Sequence, residues 1–192
     1  MTQKAGINGF GRFGLHLLKY WLDRNSESPF KINYINDDFL TINKAQKLIT
    51  EDTYVNFNKY KVQISGDNLV ILEPNGRKHE IMFSNSESKS ISWIGEPDLF
   101  FECSGKNTEA KNSAVFFKKN TKKVLISATS WDAEKTLVYG FNHEDYDPKL
   151  NLYSYGSCTV NAYLPLAKWI ETNFGVYDSD VDVIHNIQEY RL

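Results

Sequence analysis

The chain has 192 residues, enough for one full domain and part of another, and its 22 basic and 24 acidic residues give a net charge of -2. Because charges of both signs are interspersed, the composition favours a small-molecule partner over nucleic acid or an anionic membrane. The sequence has no signal-peptide core, no run of 18 apolar residues and only two cysteines, a combination that indicates a protein of the reducing cytoplasm.

The first elements are predicted to form a βαβ unit. A short apolar strand at residues 5–8 is followed by the glycine turn GFGRFG at 9–14 and then by a helix with an apolar face. A second strand, FKINYI at 30–35, ends in the polar sequence Asn36-Asp37-Asp38. A βαβ unit of this length implies a parallel sheet.

The middle of the chain continues the α/β alternation around an insertion. Thr41 is predicted to cap a second helix, TINKAQKLIT. Short alternating runs between 59 and 83, broken by two turn sequences, predict an antiparallel meander. Further predicted elements are a buried strand at 98–103, a helix at 108–119, and strands at 123–127, 137–141 and 151–155.

The last predicted elements are a helix at 162–174 and a half-exposed strand at 180–187. The predicted fold class is therefore α/β: a Rossmann-type doubly wound parallel sheet with a small antiparallel insertion. We expect this domain to span residues 1–157. Residues 158–192 are expected to begin a second, incomplete α+β domain, namely its first helix and strand.

The glycine turn has the context of a dinucleotide fingerprint. Gly9, Gly11 and Gly14 follow a strand and open a helix, and Asp37 ends the second strand at the spacing that the fingerprint requires. The glycines allow a tight turn, close approach of a pyrophosphate to the backbone, and close helix–strand packing. Asp37 would accept hydrogen bonds from the adenosine ribose and repel a 2′-phosphate, which favours NAD over NADP. The alternative is a set of ordinary turn glycines with Asp37 as a strand-end cap.

Cys158 is a candidate nucleophile because it lies in GSCTVN, where a polar loop becomes an apolar helix. The positive end of a helix dipole favours a thiolate over a thiol. A helix running out and a strand running back would bring His185 beside it. The alternative interpretation is a small buried cysteine and an ordinary polar histidine. We interpret Cys103 as a core residue and assign no role to the other histidines, His16, His79 and His143.

These motifs belong to a longer series of blocks that resembles the phosphorylating glyceraldehyde-3-phosphate dehydrogenases over nearly the whole chain. The blocks are INGFGRFG (7–14), IND (35–37), ECSG (102–105), KVLISATS (123–130), GFNHEDYD (140–147), SCTVN (157–161) and PLAKWIETNFGV (165–176). The resemblance implies that NAD is bound by Asn8, Gly9, Phe10, Gly11, Arg12, Phe13, Gly14, Asp37, Ser104, Gly105 and Ser127.

The resemblance also implies a reaction and the residues that perform it. Cys158 matches the family's nucleophile and His185 its paired base, while Ser157, Cys158 and Thr159 match the substrate and phosphate position. The implied reaction oxidises glyceraldehyde 3-phosphate through a cysteine thioester, which inorganic phosphate releases as an acyl phosphate. The family implies that residues 1–157 are its NAD-binding Rossmann domain and residues 158–192 the N-terminal portion of its catalytic domain. It also implies glycolysis, a cytoplasmic homotetramer and NAD as the cofactor, and we expect no metal.

The sequence departs from the family pattern in two side chains and in length. Val160 and Gln188 stand where the family has threonines, and the family continues for roughly another domain's length. The resemblance therefore predicts a truncated chain with little turnover of its own and an exposed apolar groove that favours self-association. Two alternatives stay open: an NAD-binding protein without catalysis, and an enzyme like aspartate-semialdehyde dehydrogenase, which usually carries GxxGxxG in the turn.

Overall fold

Within residues 2–185, which the computed structural model describes, nine strands form one mixed sheet. The strands are β1 (Gln3–Asn8), β2 (Phe30–Asn36), β3 (Lys61–Ser65), β4 (Asn68–Leu72), β5 (Lys78–Ser84), β6 (Leu99–Glu102), β7 (Lys123–Ile126), β8 (Lys135–Thr136) and β9 (Leu152–Ser154). Their spatial order is β3-β4-β5-β2-β1-β6-β7-β9-β8. The strand order reverses at β1, which pairs in parallel with both β2 and β6. Doubly wound sheets bind ligands at such a switch point.

Four α-helices accompany the sheet in the described part of the chain. They are α1 (Arg12–Asp23), α2 (Ile42–Glu51), α3 (Ala110–Ser113) and α4 (Cys158–Phe174), with 3-10 turns at Ser88–Ser90, Ala114–Phe116 and His143–Asp145. The apolar face predicted for α1 is buried against the sheet through Leu15, Leu18 and Leu22. Thr41 caps α2 as predicted, since its hydroxyl accepts a hydrogen bond from the Lys44 amide. None of the helices within residues 2–185 has the length and apolarity that a bilayer span requires.

The predicted antiparallel meander is confirmed as β3, β4 and β5. It does not form a separate unit, because β5 pairs in parallel with β2, with Tyr34 opposite Met82. The insertion therefore extends one edge of the doubly wound sheet and leaves the other strands in place.

Alternation along the strands gives the sheet a core on each face. On β6, Phe101 faces the cluster that contains α1 and α2, while Phe100 faces the opposite cluster. There Phe100 stacks on Phe116 with a centroid separation of 4.1 Å. Two helices thus cover one face, and the short α3 with its 3-10 turn covers part of the other.

Two predicted elements in the second half of the sheet are wrong in detail. The helix expected at 108–119 is a single turn, α3, followed by the 3-10 turn that carries Phe116 into the core. The strand expected at 137–141 is replaced by β8 at Lys135–Thr136 and a turn. The Asn142 side chain causes this change, because its oxygen accepts the Val138 amide and its nitrogen donates to the Thr136 carbonyl. The backbone polar groups that a strand needs are therefore used locally.

The C-terminal elements differ in a similar way. The helix predicted at 162–174 begins at Cys158, one turn earlier. Residues 180–185 alternate in polarity but form no strand in the described chain, and their side chains are exposed. Alternation alone does not hold a strand, because a strand needs a hydrogen-bonded neighbour. The remaining two residues of that prediction, and Gln188, lie outside the described residues.

Candidate functional site

The three glycines of the turn between β1 and α1 differ in how closely other atoms pack against them. Gly9 has φ +94°, and a Cβ there would lie 2.4 Å from the Ser104 amide nitrogen. A Cβ on Gly14 would lie 2.3 Å from the Gly9 carbonyl oxygen. Both positions therefore require glycine for packing. At Gly11, by contrast, a Cβ would meet nothing within 4 Å.

This open space lies at the N-terminus of α1, for which Gly11 is the N-cap. Glycine offers no side chain to cap the helix, and the first turn of α1 contains no acidic residue. The N-terminus of a 12-residue helix carries a partial positive charge and favours an anion. The turn therefore fits a pyrophosphate that approaches over Gly11.

Asp37 lies just beyond β2 and organises the backbone around this turn. One carboxylate oxygen accepts the Phe10 amide at 2.8 Å, and the other accepts the Phe39 and Leu40 amides at 2.9 Å each. A carboxylate oxygen has two acceptor sites, so the oxygen bound to Phe10 can accept one further hydrogen bond, such as that of a ribose hydroxyl. The Phe10 ring is fully buried, which limits this residue to backbone contacts with a ligand.

Arg12 and Phe13 connect the turn to other parts of the chain. The Arg12 guanidinium pairs with Asp52, the C-cap of α2, and lowers the pKa of that carboxyl to about 2. Asp52 is a residue that the sequence analysis did not single out. The exposed Phe13 ring stacks on Tyr155, with centroids 6.3 Å apart, and so links the turn to the loop that precedes α4.

A buried carboxylate, Glu102, joins the ends of the central strands. It is 1% exposed, and its carboxylate accepts the Asn8 side-chain amide at 2.7 Å, the Ser104 backbone amide at 2.8 Å and the Asn107 side-chain amide at 3.0 Å. Desolvation raises the pKa of Glu102 although these hydrogen bonds oppose the rise. Asn8 in turn accepts a hydrogen bond from Asn36. The sequence signal for Glu102 was a charged residue at the end of an apolar strand, and no role was predicted for it.

The remaining residues predicted to bind the cofactor lie at the same edge. The Ser104 hydroxyl donates to Glu102, Gly105 has φ +71° with open space beside it, and the Ser127 amide donates to the Glu102 carbonyl at 2.9 Å. All follow the carboxyl ends of β6 and β7, next to the glycine turn at the end of β1. The fold therefore brings the predicted cofactor residues to one edge of the sheet.

A thiol and an imidazole meet at the start of α4. Ser157 is the N-cap, and its hydroxyl accepts the Val160 amide at 3.1 Å, so Cys158 is the first residue of the helix and Thr159 the second. Cys158 is exposed, and its Sγ lies 3.9 Å from Nδ1 of His185. No strand forms over residues 180–185, the described part of the strand expected to carry His185, yet the segment after α4 returns the ring to the thiol.

The second cysteine has a different environment. Cys103 follows β6 and packs against the core cluster beneath α1. Desolvation, with the nearby Glu102 carboxylate, raises the pKa of its thiol well above the usual range. Cys103 therefore stays a thiol, whereas Cys158 lies at a helix N-terminus beside an imidazole.

A doubly wound sheet with a glycine turn, a helix N-terminus and an acidic strand end at its switch point defines a dinucleotide-binding α/β protein. Residues 3–110 match the family described as glyceraldehyde 3-phosphate dehydrogenase, NAD binding domain. The chain belongs to the glyceraldehyde-3-phosphate dehydrogenase family, and NAD is the cofactor of the domain that matches.

Curated relatives extend the similarity past this domain. The chain is 35% identical over 188 residues to glyceraldehyde-3-phosphate dehydrogenase of Ogataea parapolymorpha, covering 97% of this chain and 54% of the relative. It is 32% identical over 188 residues to that of Echinococcus multilocularis, with 97% and 53% covered. The cytosolic enzyme of Dianthus caryophyllus is 31% identical over 186 residues, with 96% and 53% covered. The chain thus spans about half the length of the curated relatives it matches.

Proposed function

We propose that the chain binds NAD over its glycine turn and oxidises glyceraldehyde 3-phosphate to an acyl phosphate through Cys158. The observation that carries this proposal is the 3.9 Å separation of the Cys158 thiol and the His185 imidazole, at the start of α4. Tyr155, which stacks on Phe13 of the glycine turn, precedes Cys158 by three residues and connects the two halves of the site.

Residues on both sides of the switch point would hold the dinucleotide. The open space at Gly11 admits the pyrophosphate to the N-terminus of α1, and Asp37 accepts a ribose hydroxyl. Ser104, Gly105 and Ser127 form the facing side of this cleft in the proposal. Bound NAD would supply the acceptor for the hydride that the substrate carbon loses.

The chain's own residues then account for the proton and the acyl group. The Cys158 thiolate, stabilised by the helix N-terminus, adds to the aldehyde carbon, and the aldehyde oxygen takes a proton from the protonated His185 ring to give a hemithioacetal. The His185 imidazole takes the hydroxyl proton as the carbon loses hydride and the thioester carbonyl forms. Inorganic phosphate, placed near the Thr159 hydroxyl, attacks the thioester carbon, breaks the C–S bond and releases the acyl phosphate and the thiolate.

A second candidate function is NAD binding without turnover. It is favoured by the exposure of both Cys158 and His185 to solvent in the described chain. A catalytic site usually excludes water from such a pair. The two candidates share the cofactor cleft and differ only in the chemistry at Cys158.

The setting of the reaction follows from the relatives and is part of the same proposal. One relative is named as the cytosolic enzyme, which supports a cytosolic role in glycolysis. The chain would act as a homo-oligomer, the homotetramer of its family in the case of a full-length subunit.

Two measurements test the proposal. Gly11→Leu fills only open space, so we expect NAD affinity to fall at least about tenfold while the free energy of unfolding falls by only about 1 kcal/mol, the usual cost of a poor N-cap residue. Intact-mass spectrometry after incubation with NAD and glyceraldehyde 3-phosphate, without inorganic phosphate, should detect an acyl adduct on the wild type and on Cys103→Ser, and none on Cys158→Ser. Equal NAD affinity of Gly11→Leu would contradict the cofactor site. NAD binding without an adduct would favour the second candidate.

A further inference from the structure

The buried carboxylate of Glu102 has a hydrogen-bond donor at each of its acceptor positions. One oxygen accepts the Ser104 amide at 2.8 Å and the Ser104 hydroxyl, and the other accepts the side-chain amides of Asn8 at 2.7 Å and Asn107 at 3.0 Å. A carboxylate has about four acceptor sites, so these donors saturate the ionised form. A proton on Glu102 would point at donors and break at least one of these bonds. The surroundings therefore match the charged form.

A chain of hydrogen bonds that runs in one direction ends on this carboxylate. The Trp93 indole donates to the Ser84 hydroxyl at 2.9 Å, and that hydroxyl donates to the Asn36 side chain at 2.7 Å. Asn36 donates to Asn8 at 2.8 Å, and Asn8 donates to Glu102. An indole can only donate and a carboxylate can only accept, so the two ends fix the direction of every bond between them. The ionised Glu102 thus ties together the carboxyl ends of four adjacent strands, β5, β2, β1 and β6.

Ser104 is the residue through which this network reaches the cofactor cleft. Its amide nitrogen lies so close to Gly9 that a Cβ on that glycine would be 2.4 Å away. The Cys103 amide also donates to the Asn8 carbonyl at 2.6 Å. The turns that follow β1 and β6 are therefore in contact, and the carboxylate that binds both the amide and the hydroxyl of Ser104 holds one turn against the other. Because Glu102 is itself buried, it acts on a ligand only through Ser104.

The charged and titratable groups beside Glu102 in the described chain are neutral, paired or exposed. They are Cys103 on the same segment, Asp37 after β2, Lys106 after β6, and Glu87 and Lys89 at the 3-10 turn that carries Ser88. Cys103 stays a thiol because desolvation raises its pKa, Asp37 accepts backbone amides, and Lys106 is in an ion pair. Desolvation also raises the pKa of Glu102, so it takes up its proton while exposed carboxylates are still ionised. A raised pKa means that this proton does not itself favour unfolding, and its effect can be measured on the folded chain.

We propose that the ionised Glu102 carboxylate positions the Ser104 turn against the Gly9 turn, and that proton uptake at Glu102 loosens this contact and weakens NAD binding. This role rests on the cofactor cleft proposed above. In a purely structural role the network would affect folding alone. In a positioning role the charge of one buried side chain also sets the affinity for NAD.

The pH dependence of NAD affinity tests this role. Calorimetric titration of the 192-residue chain between about pH 5 and pH 8 should show a wild-type affinity that falls toward acid. Glu102→Gln places an NH₂ group among donors, so its affinity at pH 8 should be at least about tenfold lower and should lack the acid step. Asn107→Asp puts a second carboxylate beside Glu102 and should move the step up by at least about one pH unit. Asn58→Asp, the same substitution at an exposed residue before β3, is the matched control and should keep the wild-type profile.

Hydrogen exchange at the Ser104 amide tests the positioning in the absence of NAD. Glu102→Gln removes the charged acceptor of this amide, so its exchange should be at least about tenfold faster than in the wild type. Ile71→Val, which trims a buried residue of β4 in the meander, is the control for a general loss of stability. It should leave the pH profile of NAD affinity unchanged and should not single out the Ser104 amide.

The possible results separate this role from the proposed function. A wild type that binds no NAD at any pH would overturn the cofactor site, and the positioning role with it. NAD binding with one pH profile in the wild type, Glu102→Gln and Asn107→Asp, or an unchanged Ser104 exchange rate, would overturn the positioning role alone. If Glu102→Gln does not fold, Asn107→Asp decides the question, because its acid step either moves to higher pH or stays in place.

Discussion

At the scale of single residues, the two cysteines show how environment decides the reactivity of a thiol. Cys103 packs against the core, and its pKa is raised by desolvation and by Glu102. Cys158 is exposed at the first position of a 17-residue helix, 3.9 Å from an imidazole. The thiolate is the reactive species, so only the second environment supports a nucleophile.

This contrast predicts selective alkylation. At neutral pH we expect iodoacetamide to modify Cys158 at least about tenfold faster than Cys103, because thiolate character and access both favour the exposed residue. Peptide mass spectrometry of the folded chain over time measures both rates, with Cys158→Ser as the assignment control. His185→Gln should slow the modification of Cys158 and leave Cys103 unchanged. Equal rates for the two cysteines would remove the basis for an activated thiol.

Part of the site could be predicted from single residues and part could not. Gly9, Gly11, Gly14 and Asp37 were predicted because the fingerprint encodes backbone geometry at fixed spacing. The role of Glu102 depends on the hydrogen bond from Asn8 of the neighbouring strand β1, which no local pattern contains. Buried polar networks of this kind are set by tertiary structure.

At the scale of elements, the ion pair between Arg12 and Asp52 fastens the start of α1 to the end of α2. The Asp52 carboxyl also accepts the Tyr54 and Val55 amides, which ends the helix. The hydrogen bond from Arg12 is the main reason that its pKa falls from 3.8 to about 2. A carboxyl with a lowered pKa in the folded state stabilises the protein above its unfolded pKa.

Because the pKa of Asp52 is lower in the folded state than in the unfolded state, its carboxylate should stabilise the protein at neutral pH and lose this effect in acid. Asp52→Asn should lower the free energy of unfolding at pH 7 by about 1–2 kcal/mol, and the difference should shrink as the pH falls below about 4 and through the folded pKa of about 2, where the wild-type carboxyl takes up its proton. Urea unfolding at several pH values measures it. Asp67→Asn, in the exposed turn between β3 and β4, is the control and should leave the pH profile unchanged. A constant difference down to pH 2 would exclude titration of Asp52 as the cause.

Elements with strong periodicity and clear turn residues were predicted well, and elements with a weaker pattern or no pairing strand were not. The unit β1–α1–β2 and the meander have strong periodicity and turn residues, and both are confirmed. The segment expected to be a strand at 137–141 is a turn, because the Asn142 side chain hydrogen-bonds the Val138 amide and the Thr136 carbonyl. Residues 180–185 have the alternating polarity of a strand but pair with no strand of the described chain.

At the scale of the whole molecule, the described sheet is complete before α4 begins. β9 ends at Ser154, and no residue of α4 is buried. α4 contacts the turn that follows β8, for example through the hydrogen bond from Lys168 to the Phe141 carbonyl. We therefore propose that residues 1–157 are a folding unit and that 158–192 begin a second one.

Deletion of residues 158–192 tests this division. The shortened chain should keep a melting temperature within a few degrees of the parent and retain its affinity for NAD, since the removed side chains contribute little to the core. Differential scanning calorimetry and titration with NAD measure the two quantities. Loss of cooperative unfolding in the shortened chain would show that the boundary is misplaced.

The unequal packing around the turn glycines has a consequence for how this sequence can change over generations. Replacement of Gly9 or Gly14 would force a Cβ into backbone atoms, so selection for a folded protein alone preserves both. A Cβ at Gly11 would meet nothing within 4 Å, so mutational drift could alter this residue at little cost in a lineage that no longer needed the nucleotide. Among descendants of this sequence, conservation of Gly11 would therefore indicate continued use of the cofactor. Conservation of Gly9 and Gly14 would indicate only that the fold is retained.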